Sequence, residues 1–172
     1  MAEPAMGVPP AIQTGRRGSK WGALPEIRTG PAIAPFVRPV ELEITVPIAS
    51  DLDIVTARQR GRTLALQLGY SSMDGTLVAA AISELARNIV LYAKRGEIVL
   101  SNVADGSRRG MIVVARDEGP GIADVSRAVA AGHSTSGGLG LGLSGVRRLV
   151  DEFEISSELG KGTTVTIRWW RR

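Results

Sequence analysis

"HSTSGGLGLGLSGV", His133 to Val146, is the stretch on which the fold turns. Gly140, Gly142 and Gly145 spell the dinucleotide-binding pattern G-x-G-x-x-G, which would make the chain an alternating βαβ protein. That pattern has meaning only directly after a strand and with an acidic residue about 20 positions on. Here the polar "HSTSGG" precedes it and the downstream window "GKGTTVTI" holds no acid, so the dinucleotide reading fails. "LGKGTT" fails as a P-loop as well, because G-x-x-x-x-G-K-[ST] needs Gly at 155 and Ser or Thr at 162, where the chain has Ile155 and Gly162. A plain spacer is opposed by the leucines that alternate with the glycines and by the amphipathic "SGVRRLVDEF" that follows. Two readings stay open on this stretch alone: a spacer, or a run of glycine amides feeding a helix N-terminus, where unpaired N–H groups and the helix dipole suit an anion.

The flanking sequence supplies the rest of the architecture. "ELEITVPI" alternates Leu42, Ile44 and Val46 with polar residues, as in a half-buried strand. In "SDLDIVTARQRGRTLALQLG", Ser50 or Asp51 caps a helix with Ile54, Ala57, Leu64 and Leu68 at helical spacing, and Gly69 ends it. A second helix is predicted over Met73 to Ala93, with Leu77, Ala81, Leu85, Ile89 and Tyr92 on one stripe. "EIVLSNVA" and "GMIVVARD" form a hairpin across "DGSRRG", and "FEISSEL" and "TTVTIRWW" a second one across "GKG". Helices segregated from a mixed or antiparallel sheet make an α+β two-layer sandwich, with the sheet covered on one face by helices. One indole of the Trp169–Trp170 pair is expected to cover the sheet end.

Composition agrees with one folded domain and excludes several classes. The 172 residues are 44% hydrophobic and 22% charged, ordinary for a globular chain, and the 4% of aromatics leaves an aliphatic core. The absence of cysteine excludes disulfides and thiolate metal sites. "TLVAAAISELARNIVLY" is interrupted by Ser83, Glu84, Arg87 and Asn88, so no membrane span is expected, and the N-terminus lacks the layout of a signal peptide. The cytoplasm is the expected compartment. The net charge of +4 is concentrated before residue 41, where Arg16, Arg17, Lys20, Arg28 and Arg38 face only Glu3 and Glu26. Seven of the nine prolines fall in the same stretch, so residues 1–40 read as a disordered basic Pro/Gly-rich extension and 41–172 as the folded domain. No basic stripe interleaved with aromatics indicates specific nucleic-acid binding.

Two further constellations carry chemistry. "ARDEGPGI" ends an apolar strand in D-x-G-x-G, where Asp117 can accept from an exocyclic amine such as that of adenine while glycines let a planar ligand lie on the backbone. The same letters also describe a plain turn. In "SELARN", Glu84 and Asn88 stand at i and i+4 on one helix face, a carboxylate able to take a proton and an amide oxygen able to ligate Mg²⁺. Glu and Asn are equally common on solvated helix faces.

Taken together and in order, "ELARN", "DEGPGI", "GGLGLGL" and "GKGTTVTI" resemble the N, G1, G2 and G3 boxes of the GHKL ATPase and kinase superfamily, the Bergerat fold. "DIVTARQRGRTLALQLGY", "AISELARNIVLYAKRGEI" and "STSGGLGLGLSGVRRLVDEFEI" narrow the resemblance to the RsbT-type serine/threonine kinases, over residue 41 to the C-terminus. The resemblance implies ATP and Mg²⁺, with Glu84 as the base and Asn88 as the Mg²⁺ ligand. Asp117 would accept from the adenine amine, beside Gly119, Gly121 and Ile122, with Thr163 supporting the adenine side. Gly138, Leu139, Gly140, Leu141 and Gly142 would line the phosphates. The chain departs from the subfamily pattern at Leu141 to Ser144, where a small residue and a proline are common. Implied partners are a STAS-domain substrate and a PP2C-type phosphatase or other effector of a bacterial stress-response partner-switching pathway. The alternative is an anti-sigma-type or phosphatase-activating binding module with secondary kinase activity. A sensor histidine kinase would need a phospho-accepting histidine on a dimerising helix, whereas His133 lies in the glycine-rich loop. A conformational ATPase of the chaperone kind is expected to continue into a transducer domain, where this sequence has only "RWWRR".

Overall fold

The computed structural model describes residues 27–28, 38–130 and 142–171. Among the described residues six strands and four helices form two layers in the order β1 (Ile27–Arg28), β2 (Arg38–Ile48), α1 (Asp51–Gln67), α2 (Ser72–Asn88), β3 (Gly96–Asp105), β4 (Arg108–Asp117), α3 (Val125–Val129), α4 (Gly142–Leu149), β5 (Glu152–Glu158) and β6 (Gly162–Trp170). The sheet order is β1-β5-β6-β4-β3-β2. Every pairing is antiparallel except that of β1 with β5, so the sheet is mixed. β2 begins three residues before the alternating run, and the two-residue β1 was not expected at all.

Alternation sorts each strand onto two faces. Val46 and Ile48 of β2, Ile98 and Leu100 of β3, Met111, Val113 and Ala115 of β4, Phe153 and Ile155 of β5, and Val165, Ile167 and Trp169 of β6 all join one buried core. From above, Ile54, Ala57 and Leu64 of α1 and Val78, Ala81, Ile82, Leu85 and Ala86 of α2 close that core. Trp169 is the indole that covers the sheet end, its Nε1 donating to the Leu149 carbonyl at 2.9 Å. Trp170 lies on the opposite face, where its Nε1 donates to Glu152 at 2.7 Å and Arg108 stacks 4.0 Å over its ring.

The helices start where the sequence places them. Ser50 caps α1 in a capping box with Asp53, whose carboxylate accepts from the Ala49 and Ser50 amides and from the Ser50 hydroxyl. These bonds, the Ser50 hydroxyl foremost, hold the Asp53 carboxyl below the usual aspartate range. Ser71 caps α2 by accepting from the Asp74 amide at 3.1 Å. The predicted second helix changes character before its end, because Ile89–Ala93 are wound as a π-helical turn. The extra residue in that turn rotates the stripe, and Tyr92, expected in the core, is 56% exposed. By length and composition Ser72–Ala93 could cross a bilayer, but its apolar residues are those that pack on α1 and the sheet.

Candidate nucleotide site

One end of the sheet brings the separate sequence signals together. A cross-strand row runs Gly96, Asp117, Thr163, Ser157 through β3, β4, β6 and β5. By alternation the side chains of Asp117, Thr163 and Ser157 lie on the helix-covered face, continuing the core column that ends in Ala115, Val165 and Ile155. Asp117 turns its Oδ1 back to accept from the Gly119 amide at 2.8 Å, which fixes the carboxylate at the strand end. The Ser157 hydroxyl donates to the Gly162 carbonyl at 3.0 Å, accepts from the Ile122 amide at 2.8 Å, and lies 2.9 Å from the Thr163 hydroxyl. Ser157 thereby ties the Asp117–Ile122 loop to the β5–β6 hairpin. Sequence reading missed it, because one serine in "FEISSEL" carries no signal until the register is known.

The glycines here serve close approach. A Cβ on Gly119 would stand 2.5 Å from the Ala93 Cβ, so the loop lies directly on the π-helical turn. Gly162 has φ of 100°, and its Cβ would fall 1.9 Å from the Asp117 carbonyl oxygen. Gly121, at φ of 75°, abuts the Glu158 carbonyl in the same fashion. Ile122 is half-buried against the core between these contacts. The Asp117 backbone is therefore closely approached by Gly162, and its carboxylate is tied to the Gly119 amide of the loop that lies on the π-helical turn.

The carboxylate and amide of α2 lie further along the same helix. Glu84 is only 4% exposed, and its Oε2 accepts from the Gly142 amide at the start of α4, 3.3 Å away. Its Oε1 is buried and has no partner among the described residues. A carboxylate at a helix N-terminus is favoured by the dipole and by the unpaired amides, so Glu84 occupies the place suited to an anion. Asn88 is half-buried one helical turn on from Glu84, at the junction with the π-helical turn. Glu84, Asn88 and Asp117 thus line up from the start of α4 to the end of β4. Gly138, Leu139, Gly140 and Leu141, expected at the phosphates, lie outside the described residues, as does His133. Val125–Val129 form a short helix that sequence reading did not foresee, capped by Asp124 through the Arg127 amide at 2.9 Å.

Comparison with known proteins agrees with this geometry. Residues 73–172 match the family model described as histidine kinase-, DNA gyrase B-, and HSP90-like ATPase. The chain is 50% identical over 127 residues to the serine/threonine-protein kinase RsbT of Bacillus subtilis (strain 168), an alignment that spans 73% of this chain and 96% of that relative. The chain belongs to the RsbT serine/threonine-protein kinases. As an RsbT-family kinase with a GHKL ATPase domain it binds ATP, and its α+β sheet-and-helix sandwich is the Bergerat fold. In this RsbT-family fold the helix carrying Glu84 and Asn88 and the strand ending in Asp117 both lie within the matched residues.

Proposed function

We propose that this kinase transfers the γ-phosphoryl group of ATP to a serine or threonine of a STAS-domain regulatory protein, in a bacterial stress-response partner-switching pathway in the cytoplasm. The observation that carries the mechanistic part is the buried Glu84, one oxygen on the α4 amide and the other without a partner. A buried unpaired carboxylate oxygen is costly, and such groups concentrate where chemistry uses them.

In this reading Asp117 receives the adenine amine, and Thr163 with Ser157 holds the strand end against which the base lies. The phosphates take the amides at the start of α4, where Glu84 now stands, and Glu84 is released to the acceptor hydroxyl. The hydroxyl oxygen forms a bond to the γ-phosphorus, its proton passes to the Glu84 carboxylate, and ADP leaves with the electron pair of the broken bond. Mg²⁺, when bound with the nucleotide, neutralises phosphate charge. The donor present fits it: Asn88, at the junction of α2 with the π-helical turn, would offer an amide oxygen, a hard ligand. Among the described residues no cluster of three His, Cys, Asp or Glu side chains can hold an ion alone, so the nucleotide phosphates would supply further ligands.

Incubation of the full chain with radiolabelled ATP, Mg²⁺ and a purified STAS-domain protein tests the proposal. Label is expected on a serine or threonine of that protein, and Glu84→Ala is expected to abolish transfer while nucleotide binding persists. Stable co-purification with no label transferred would instead establish the binding-module reading.

A further inference from the structure

Several residues on the helix-free face of the sheet are buried although no described helix packs against them. By alternation that face carries Glu43 and Thr45 of β2, Val99, Ser101 and Val103 of β3, Gly110, Ile112, Val114 and Arg116 of β4, and Thr166, Arg168 and Trp170 of β6. Val103 and Arg168 are each only 3% exposed, and Val99, Ser101 and Gly110 are also buried. Val99 and Val103 do not belong to the core cluster on the helix side. Arg168 donates from Nη1 to Glu152 and Glu154, while its buried Nε has no partner among the described residues.

The positions of β1 and β2 indicate what lies there. Arg28 is paired opposite Glu154 at one edge of the sheet, and Arg38 opposite Ala104 near the other edge. Five strand spacings separate those edges, about 24 Å at ~4.8 Å each. The row through Glu154 meets β3 at Val99, and Arg38 faces a residue five further along, about 17 Å at ~3.4 Å per residue. The diagonal is therefore about 29 Å, against a maximum reach of about 35 Å for the chain from Arg28 to Arg38. That leaves no slack to climb over α1 and α2. A straight path from β1 to β2 crosses β6 near Arg168, β4 between Gly110 and the half-buried Ile112, and β3 near Val103; Arg168, Gly110 and Val103 are buried. Off that line Val114 and Arg116 are more exposed, while Val99, opposite Val114, is buried.

We propose that the helix-free face is the docking surface for residues 29–37 of this same chain, "TGPAIAPFV", laid diagonally across it as a strap. Its composition fits: it carries no charge, offers Ile33, Phe36 and Val37 to an apolar floor, and has Pro31 and Pro35, which bring no N–H in need of a ladder partner. A groove of about 250 Å³ lined by Glu43, Val99, Ser101, Val103, Ile112, Val114 and Arg116 flanks the line of the strap. The strap joins β1 to the exposed edge of β5, shielding that edge from another chain. It takes the helix-free face out of use for partners, and this holds whichever substrate the kinase has.

The chain has no native cysteine, so single thiols report cleanly. In the full chain, Ser101→Cys and Val103→Cys are expected to react with a maleimide at least about tenfold more slowly than Thr45→Cys and Arg116→Cys. Adding Ile33→Asp and Phe36→Asp should remove that difference. Protection that survives these changes, or that vanishes on dilution, overturns the proposal, the latter in favour of a second copy on the face. A photoreactive benzophenone amino acid in place of Phe36 tests the same point without charge in the strap. Cross-links within one chain to residues 99–112 or 164–170 support it, and cross-links between chains or to the helices refute it.

Discussion

Gly119→Ala isolates the geometry on which the adenine end of the site rests. The added Cβ would stand 2.5 Å from the Ala93 Cβ, 2.9 Å from the Ala93 Cα and 2.9 Å from Asp117 Oδ1. Carbon atoms prefer separations of about 3.5–4.0 Å, so more than an ångström of overlap must be relieved. Two of the three contacts are with Ala93, in a helical turn anchored by the buried Ile89, and neither can rotate away. The third is the carboxylate, which can yield only by giving up its 2.8 Å bond from the Gly119 amide. Overpacking of this kind costs about 1–3 kcal/mol of stability. Displacing Asp117 also removes a charge-assisted hydrogen bond to the base, worth about 1.5–3 kcal/mol, or a 10- to 150-fold weaker ATP affinity at about 1.4 kcal/mol per decade. Titration calorimetry with ATP, paired with urea unfolding of the same sample, measures both. An affinity within about twofold of wild type, with the urea midpoint lowered, would refute the placement of Asp117 against the base while leaving the packing argument intact.

The other expectations probe different links. Asp117→Asn should weaken ATP binding by about 10- to 150-fold in the same calorimeter with little change in fold, because the substitution keeps the shape and removes the charged acceptor oxygen. Glu84→Gln should abolish phosphoryl transfer, yet leave the urea midpoint unchanged or raised, since a buried unpaired carboxylate oxygen costs about 1–3 kcal/mol. A clear loss of stability would show that Glu84 is there to hold α4. Ser157→Ala should cost about 1–3 kcal/mol by leaving the Ile122 amide and the Gly162 carbonyl short of a partner, and should raise the KM for ATP more than it lowers kcat. The Asp53 carboxyl sits below its ordinary range when folded, so its contribution to stability is present above the unfolded pKa and is lost as pH falls through the folded one. The urea midpoints of wild type and Asp53→Asn should therefore converge on acidification, and a constant gap down to the acid limit would contradict the capping-box origin of the shift.

How much of this was legible in the sequence depended on whether the cause was local. The cap at Ser50 and the β3–β4 hairpin rest on residues within a few positions of each other, and such local relations are displayed directly in the sequence. The candidate site was proposed only from an ordered set of boxes, since Glu84, Asp117 and Gly142 are each ambiguous alone. Tyr92 was misplaced because the stripe assumed 3.6 residues per turn, while the chain spends an extra residue at Ile89–Ala93. That π-helical turn is also what places Ala93 under Gly119, so the irregularity that spoiled the periodicity helps build the site. Ser157 was invisible for a different reason. Its partners come from three segments, and only the β5–β6 and β4–β6 registers set it in the row with Thr163 and Asp117. The first 40 residues gave a composition but no period, and the strap proposed for 29–37 would have none to give. Its constraint comes from its ends, Arg28 beside β5 and Arg38 beside β3, separated by nearly the full reach of the chain between them. Shortening that connection is then a sharper probe than changing its side chains. Deleting Ala32 and Ala34 lowers the reach by about 7 Å, to about the diagonal itself, and should strip β1 from β5 and expose Arg168 while Glu84 and Asp117 stay in place.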